Sequence, residues 1–336
     1  MSELNKIALK ILSNGKGILA ADESNGTMTK RLESVNVSSN PENRLLFREA
    51  LFSSTGMKDF IGGVILYDET INQTSSSKMA IPKLITETGA VPGIKVDTGA
   101  KMLAGSPEEK ITEGLDGLRE RLKKYHELGA RFTKWRGVFN ISKKYPSKLS
   151  IHSNAHALAR YSALVQESGM VPIVEPEVLM DGNHSAHECF DKTSAIIKSC
   201  FEELMINNVD LSGIILKPNM ILAGSSSDKK ISNEETAKFT LRCLKENVPK
   251  DVPGIAFLSG GQNDIDATEN LNLINKHNDT NFIMTYSYGR ALQKSALEFW
   301  AKDIKNIQGT QKIFNHRANM CTLAAQGKWL AELETK

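Results

Sequence analysis

The chain has no run of the ~18 consecutive apolar residues that a membrane-spanning helix needs. Its first residues, Met1 to Lys6, contain no apolar core of the signal-peptide type. Cysteine is scarce: the four are Cys189, Cys200, Cys243 and Cys321, and no two form a C-x-x-C pair. A disulfide framework is thereby excluded, and a reducing, cytoplasmic setting is expected. Excess charge of one sign is missing as well. A formal net charge of +3 gives no reason to expect nucleic acid or a membrane surface as a partner. Metal motifs are thin: His152 and His156 are four apart and His184 and His187 three apart, but no H-E-x-x-H occurs and no third ligand is evident. No metal and no cofactor is expected. Neither G-x-G-x-x-G after the first strand nor the phosphate loop G-x-x-x-x-G-K-[ST] occurs, which removes the usual markers of a doubly wound nucleotide-binding sheet.

Eight short apolar runs are present, each ending in a polar or charged residue and then a loop. Residues 17–21 lead to Asp22, residues 63–67 to Asp68, and residues 93–94 to Lys95. Residues 131–133 lead to Lys134 and Arg136, and residues 171–174 to Glu175 and Glu177. Residues 213–216 lead to Lys217, residues 255–258 to Ser259 and Gly260, and residues 282–285 to Ser287, Gly289 and Arg290. Between them lie helical stripes: Leu115, Leu118, Leu122, Tyr125 and Leu128 before Gly129; Leu158, Tyr161, Leu164 and Val165 before Gly169; Ile196, Ile197, Cys200, Leu204 and Met205. Strands that are apolar throughout and alternate with helices make a parallel sheet covered on its outside. Eight such units point to an α/β fold of the (β/α)8 TIM-barrel type. We expect one domain over residues 1–336, with an amphipathic surface helix over 1–14, C-terminal helices and a short tail over 327–336. Leu4, Ile7, Ala8 and Ile11 share one face of the first helix.

In such barrels the strand ends converge on one mouth. Asp22, Lys95, Lys134, Glu175, Glu177, Lys217, Ser259 and Arg290 should meet there, a set suited to an anionic carbonyl substrate. Lys217 is the most telling. It ends an apolar run and is followed by Pro218. A lysine so placed is either ion-paired or held partly neutral, and a neutral amine is the nucleophile that forms an imine with a ketone. A strand-end lysine reaching to water is the plainer reading; the charged neighbours favour chemistry, and Lys134 beside Lys217 would discourage a second ammonium. Two glycine-containing polar loops follow the last two runs, and residues 24–31, with Ser24, Thr27 and Arg31, follow the first. Together they suggest a substrate with a phosphate at each end.

Motifs at all eight strands carry a resemblance: GKGILAADES at 15–24, GGVIL at 62–66, GIKVD at 93–97, KWR at 134–136, VPIVEPE at 171–177, LKPNM at 216–220, FLSGGQ at 257–262 and SYGRAL at 287–292. From about residue 4 to about 328 the chain resembles the class I, Schiff-base-forming fructose-1,6-bisphosphate aldolases. The resemblance implies reversible cleavage of fructose 1,6-bisphosphate to dihydroxyacetone phosphate and glyceraldehyde 3-phosphate, in a cytoplasmic homotetramer. It implies that Lys217 forms the Schiff base, Glu175 handles protons at the carbinolamine and Asp22 handles the C4 hydroxyl. Lys134 would stabilise the intermediates with Glu177 paired nearby, and Lys95 and Arg136 would serve as substrate-side cations. Ser259, Gly260, Ser287, Gly289 and Arg290 fall on the C1-phosphate side, and Ser24, Thr27, Lys95 and Arg31 on the C6-phosphate side. Thr27 stands where the family pattern suggests serine. Familiar members close with a tyrosine that assists proton exchange on the enamine, whereas the last tyrosine here is Tyr288. Another group, or a water near Glu175, is expected to take the proton, and exchange should be slow; if it is fast, Glu175 is the first candidate. The alternatives are another imine-forming sugar-phosphate lyase or transaldolase, or a non-catalytic barrel that binds partner proteins.

Overall fold

The computed structural model describes residues 1–335; Lys336, the end of the expected 327–336 tail, lies outside the described residues. In chain order the strands are β1 (Gly17–Ala20), β2 (Ile61–Leu66), β3 (Val91–Lys95), β4 (Gly99–Leu103), β5 (Ser106–Glu113), β6 (Phe132–Phe139), β7 (Val171–Val178), β8 (Ile215–Leu216), β9 (Gly254–Phe257) and β10 (Ile283–Tyr288). Eight of them close a barrel in the order β1-β2-β3-β6-β7-β8-β9-β10, and β10 returns to β1 through Ile18 opposite Ser287. All the barrel pairings are parallel. β4 and β5 form a separate antiparallel hairpin, which the charge-rich residues 99–113 did not announce.

Alternation along each strand decides what faces inward. Ile18, Ala20, Ile65, Val91, Phe132, Val171, Ile173, Ile215 and Ala256 form a buried cluster inside the barrel. The intervening Leu19, Val64, Ile94, Trp135, Val174, Leu216 and Phe257 belong to the larger cluster under the helices. Both faces are buried, so the strands read as continuously apolar. The three stripes are realised in the helices Leu118–Glu127, Lys148–Glu167 and Ala186–Ile206.

Two expectations need correction. The N-terminal helix, Glu3–Leu12, is more than a surface helix: Ala8, Ile11 and Leu12 join the inner cluster and close the bottom of the barrel. Gly62 allows that approach, since a Cβ there would lie 1.9 Å from the Ile11 carbonyl oxygen. Strands β6 and β7 also run further than their apolar stretches, through Lys134 and Arg136 and through Glu175 and Glu177. Charged residues on alternate positions look like loop in one dimension, but here they simply point into the mouth.

Trp329 and Glu334 dock the chain after residue 327 onto the barrel's helices. Trp329 is buried, its indole N–H donates to Glu334 at 2.7 Å, and Arg317 on the helix Ile307–Ala325 pairs with the same carboxylate. No helix among the described residues is long and apolar enough to cross a membrane.

Candidate active site

The inward positions that carry Ile18 and Ala20, Val91, Phe132, Val171 and Ile173, and Ile215 at the lower level continue upward as Asp22, Lys95, Lys134, Glu175 and Lys217. A period of two places each charged group directly above the apolar plug. Strand register adds to this: Lys95 lies beside Lys134, and Arg136 beside Glu175. Room for the cluster comes partly from Gly93, where a Cβ would meet the Phe132 ring at 2.4 Å.

The groups form a line of alternating charge. Asp22 meets Lys134 at 2.8 Å, Lys134 meets Glu175 Oε2 at 3.4 Å, and Glu175 Oε1 meets Lys217 Nζ at 3.1 Å. Lys134, Glu175 and Lys217 are buried. Burial works against the charged form of Asp22, but the ammonium of Lys134 and then that of Lys217 outweigh it and hold the carboxyl well below the usual range. Burial likewise opposes ionisation of Glu175, and Lys134, Lys217 and Arg136 overcome it. Lys134 loses solvation too, yet Asp22 and Glu175 hold its proton more tightly than an ordinary lysine does. Both carboxylates are therefore held in the ionised form, with Lys134 a cation between them. Glu175 Oε2 is buried and accepts no hydrogen bond, although the Lys134 ammonium lies 3.4 Å away.

Glu177 pairs with Arg136 and not with Lys134. Burial lowers the guanidinium's hold on its proton, but Glu177 more than restores it. Lys95 is 3.5 Å from Asp97, a residue the sequence reading passed over. Asp97 lies two positions beyond Lys95, hence on the same inward face, and one of its buried oxygens has no partner. Strand parity was the signal that could have found it.

The loop groups divide. Ser287 is buried on β10 with an unpartnered hydroxyl, and Gly260 (φ 59°) follows Ser259 in a left-handed turn that frees backbone N–H groups. Gly289 caps the helix Arg290–Trp300 without a side-chain bond, so its first N–H groups are open to an anion. Ser24 and Thr27 have local work: the Ser24 hydroxyl caps the helix Asn25–Glu33, accepting from Thr27 N–H at 3.3 Å. Arg31 is paired with Glu23. Arg31 and Arg290, which the sequence reading gave to opposite phosphates, line one cavity of about 140 Å³. They meet because β1 and β10 are neighbours in the closed barrel. His152 and His156 share the Glu203 carboxylate at 3.3 and 2.9 Å. No group of three or more His, Cys, Asp or Glu among the described residues is arranged to hold a metal ion.

The family model for class-I fructose-bisphosphate aldolase matches residues 3–336. The chain belongs to the class I fructose-bisphosphate aldolases. A probable class 1 aldolase of Xylella fastidiosa is 47% identical over 330 residues, covering 98% of this chain and 99% of its own. The cytosolic fructose-bisphosphate aldolase 4 of Arabidopsis thaliana is 46% identical over 333 residues, covering 99% of this chain and 85% of its own. Among solved structures, the Plasmodium falciparum aldolase in complex with TRAP and a small-molecule inhibitor superposes with a TM-score of 0.96 at 42% identity, over 98% of this chain and 95% of that one. This aldolase is thus a carbon–carbon lyase of glycolysis. It cleaves fructose 1,6-bisphosphate reversibly through a lysine Schiff base.

Proposed function

We propose that Lys217 is the imine-forming lysine and that Glu175, Asp22 and Lys134 move or balance the charges of the reaction. The observation that carries this reading is the line Asp22–Lys134–Glu175–Lys217, in which each group touches only opposite charge. Glu175 takes a proton from the Lys217 ammonium, and the amine attacks C2 of the open-chain sugar. Glu175 then returns a proton to the carbinolamine hydroxyl as water leaves, which gives an iminium. Asp22, kept ionised by Lys134, accepts the C4-hydroxyl proton while the C3–C4 bond breaks. The electron pair flows into the iminium to make an enamine, and glyceraldehyde 3-phosphate departs. C3 takes a proton from a water near Glu175, Asp22 gives its proton back to that water, and addition of a second water releases dihydroxyacetone phosphate and free Lys217. Lys134 offsets the negative charge that Asp22 and Glu175 would otherwise share.

For the phosphates we propose Ser259, Gly260, Ser287, Gly289 and Arg290 on one side, supported by the open hydroxyl, the left-handed turn and the uncapped helix N-terminus. Lys95, Ser24 and Thr27 serve the other, and Arg31, which lines one cavity with Arg290, reaches phosphate from there by exchanging Glu23 for it. Arg136 and Glu177 form a paired wall beside Glu175. We also propose one domain, supported by the docking of residues 329–334 onto the barrel's helices, and a cytoplasmic homotetramer. The cytosolic label of the Arabidopsis relative and the four free cysteines support that compartment. The decisive experiment is borohydride reduction in the presence of dihydroxyacetone phosphate, read by peptide mass spectrometry. The adduct is expected on the Lys217 peptide and should be absent in Lys217→Ala; an adduct on Lys134 or Lys95 would sink the assignment.

A further inference from the structure

The seam between β7 and β8 is interrupted at the level where Lys217 and Glu175 meet. Strand β8 has only two residues, Ile215 and Leu216, opposite Ile173 and Val174. One more rung follows, from Lys217 N–H to the Val174 carbonyl at 2.8 Å. A regular parallel ladder would continue with the N–H of residue 176 reaching the Lys217 carbonyl. Residue 176 is proline and has no N–H to give. Past that gap, the Val178 N–H is received by a side chain: Asn219 Oδ1 accepts it at 3.0 Å.

Asn219 is buried, and its amide is used from both ends. Its nitrogen donates to Thr193 Oγ1 at 3.2 Å, on the helix Ala186–Ile206, and to the Met220 carbonyl at 3.1 Å. On the far side, Leu258 N–H donates to the Pro218 carbonyl at 3.2 Å, which ties β8 to β9 but not to β7. Lys217 therefore hangs from a very short strand with a proline after it, while Glu175 sits in the middle of a strand of eight residues. Above the Lys217–Val174 rung, the tie between the two strands is the Asn219 side chain.

We propose that Asn219 is a positioning residue for the aldol reaction. Its amide closes the seam that Pro176 opens and so sets the spacing of Lys217 from Glu175. It touches neither reacting atom and acts through the separation of two strands. The inference rests on the assignment of Lys217 and Glu175 made above.

The test uses the full-length enzyme with dihydroxyacetone phosphate and borohydride. An adduct away from the Lys217 peptide in the unmodified enzyme would remove the underlying assignment, and the inference with it. With the adduct on Lys217, Asn219→Ala should slow adduct formation and kcat by about 10- to 100-fold, the loss expected when reacting groups shift by about 1 Å. KM should stay within about threefold, because phosphate contacts are untouched. Asn219→Asp keeps an oxygen for the Val178 N–H and should recover most of that loss. Thr193→Val removes a partner of the amide but spares the Val178 bond; it should lower the melting temperature yet hold kcat within about threefold. If Asn219→Ala does not fold, Asn219→Leu fills the same space without an acceptor and should show the same slow adduct formation. A folded Ala or Leu variant that forms adduct at the unmodified rate overturns the inference. So does Asn219→Asp or Thr193→Val falling as far as Asn219→Ala, since a packing role alone would produce that pattern.

Discussion

The side-chain nitrogen of Lys217 and the carboxylate of Glu175 meet at 3.1 Å with both side chains buried. A carboxylate there can receive the ammonium proton and hand it back to the carbinolamine. Glu175→Gln keeps the shape of the side chain but can do neither. It should lower kcat by about 10²- to 10⁴-fold with little change in KM. Steady-state kinetics check this, and a kcat within a factor of a few of the unmodified enzyme would move the proton role elsewhere.

Asp22 makes the site sensitive to acid. Its folded carboxyl lies below its ordinary value of 3.8, chiefly because Lys134 and Lys217 overcome the effect of burial. A group with a depressed folded value stabilises the protein above its unfolded value, and that contribution fades as pH falls toward the folded one. Asp22→Asn removes the nearest partner of Lys134 but leaves Glu175, and should cost about 1–3 kcal/mol at neutral pH. The gap in melting temperature between the two proteins should be full at neutral pH and narrow below about pH 4. Thermal melts across that range decide it, and a gap that stays constant would contradict the pairing.

Arg290 opens the uncapped helix after β10. Arg290→Ala should raise KM and also lower kcat, because phosphate binding positions the reacting carbons. A lost charge-assisted contact of this kind is worth about 2–3 kcal/mol in kcat/KM. An unchanged kcat/KM for fructose 1,6-bisphosphate would remove Arg290 from the site.

Gly62 is the point of contact between β2 and the N-terminal helix. A methyl group there would lie inside the Ile11 carbonyl oxygen, with backbone on both sides. Gly62→Ala should therefore displace the helix and cost about 1–3 kcal/mol. Denaturant unfolding measures the loss, and an unaltered midpoint would show that the helix can shift freely.

The barrel was legible because both faces of its strands are buried and so read as short apolar runs. Lys217, Glu175 and Asp22 were legible because a charge next to such a run is costly without a partner. Lys134 stood out as a candidate, but its partners did not, since pairing depends on which strands are neighbours in the closed ring. The same holds for Glu177, which pairs with Arg136 across β6 and β7. Asp97 was missed because it lies past a strand end, where sequence suggests a loop. The hairpin β4–β5 was missed because Lys101, Glu108, Glu109 and Lys110 break any clear alternation. Nor could the closure of the barrel floor be read from Ile11 and Leu12, since an amphipathic face does not say what it will cover.

The two-residue alternation that puts Asp22, Lys134, Glu175 and Lys217 inside the ring has an evolutionary corollary. A substitution at one of these positions changes one chemical group, and relatives can explore such changes singly. Inserting or deleting one residue between the lower core and the mouth would turn every later side chain of that strand outward, exchanging Glu175 for a neighbour meant to face a helix. Even two residues would keep the facing but lift the group by roughly 6.6 Å, beyond reach of its partner. Length variation in descendants of this chain should therefore collect in the connecting loops and be excluded from the strand segments below the charged residues of the mouth, a pattern that an alignment of sequenced descendants would reveal without any assay.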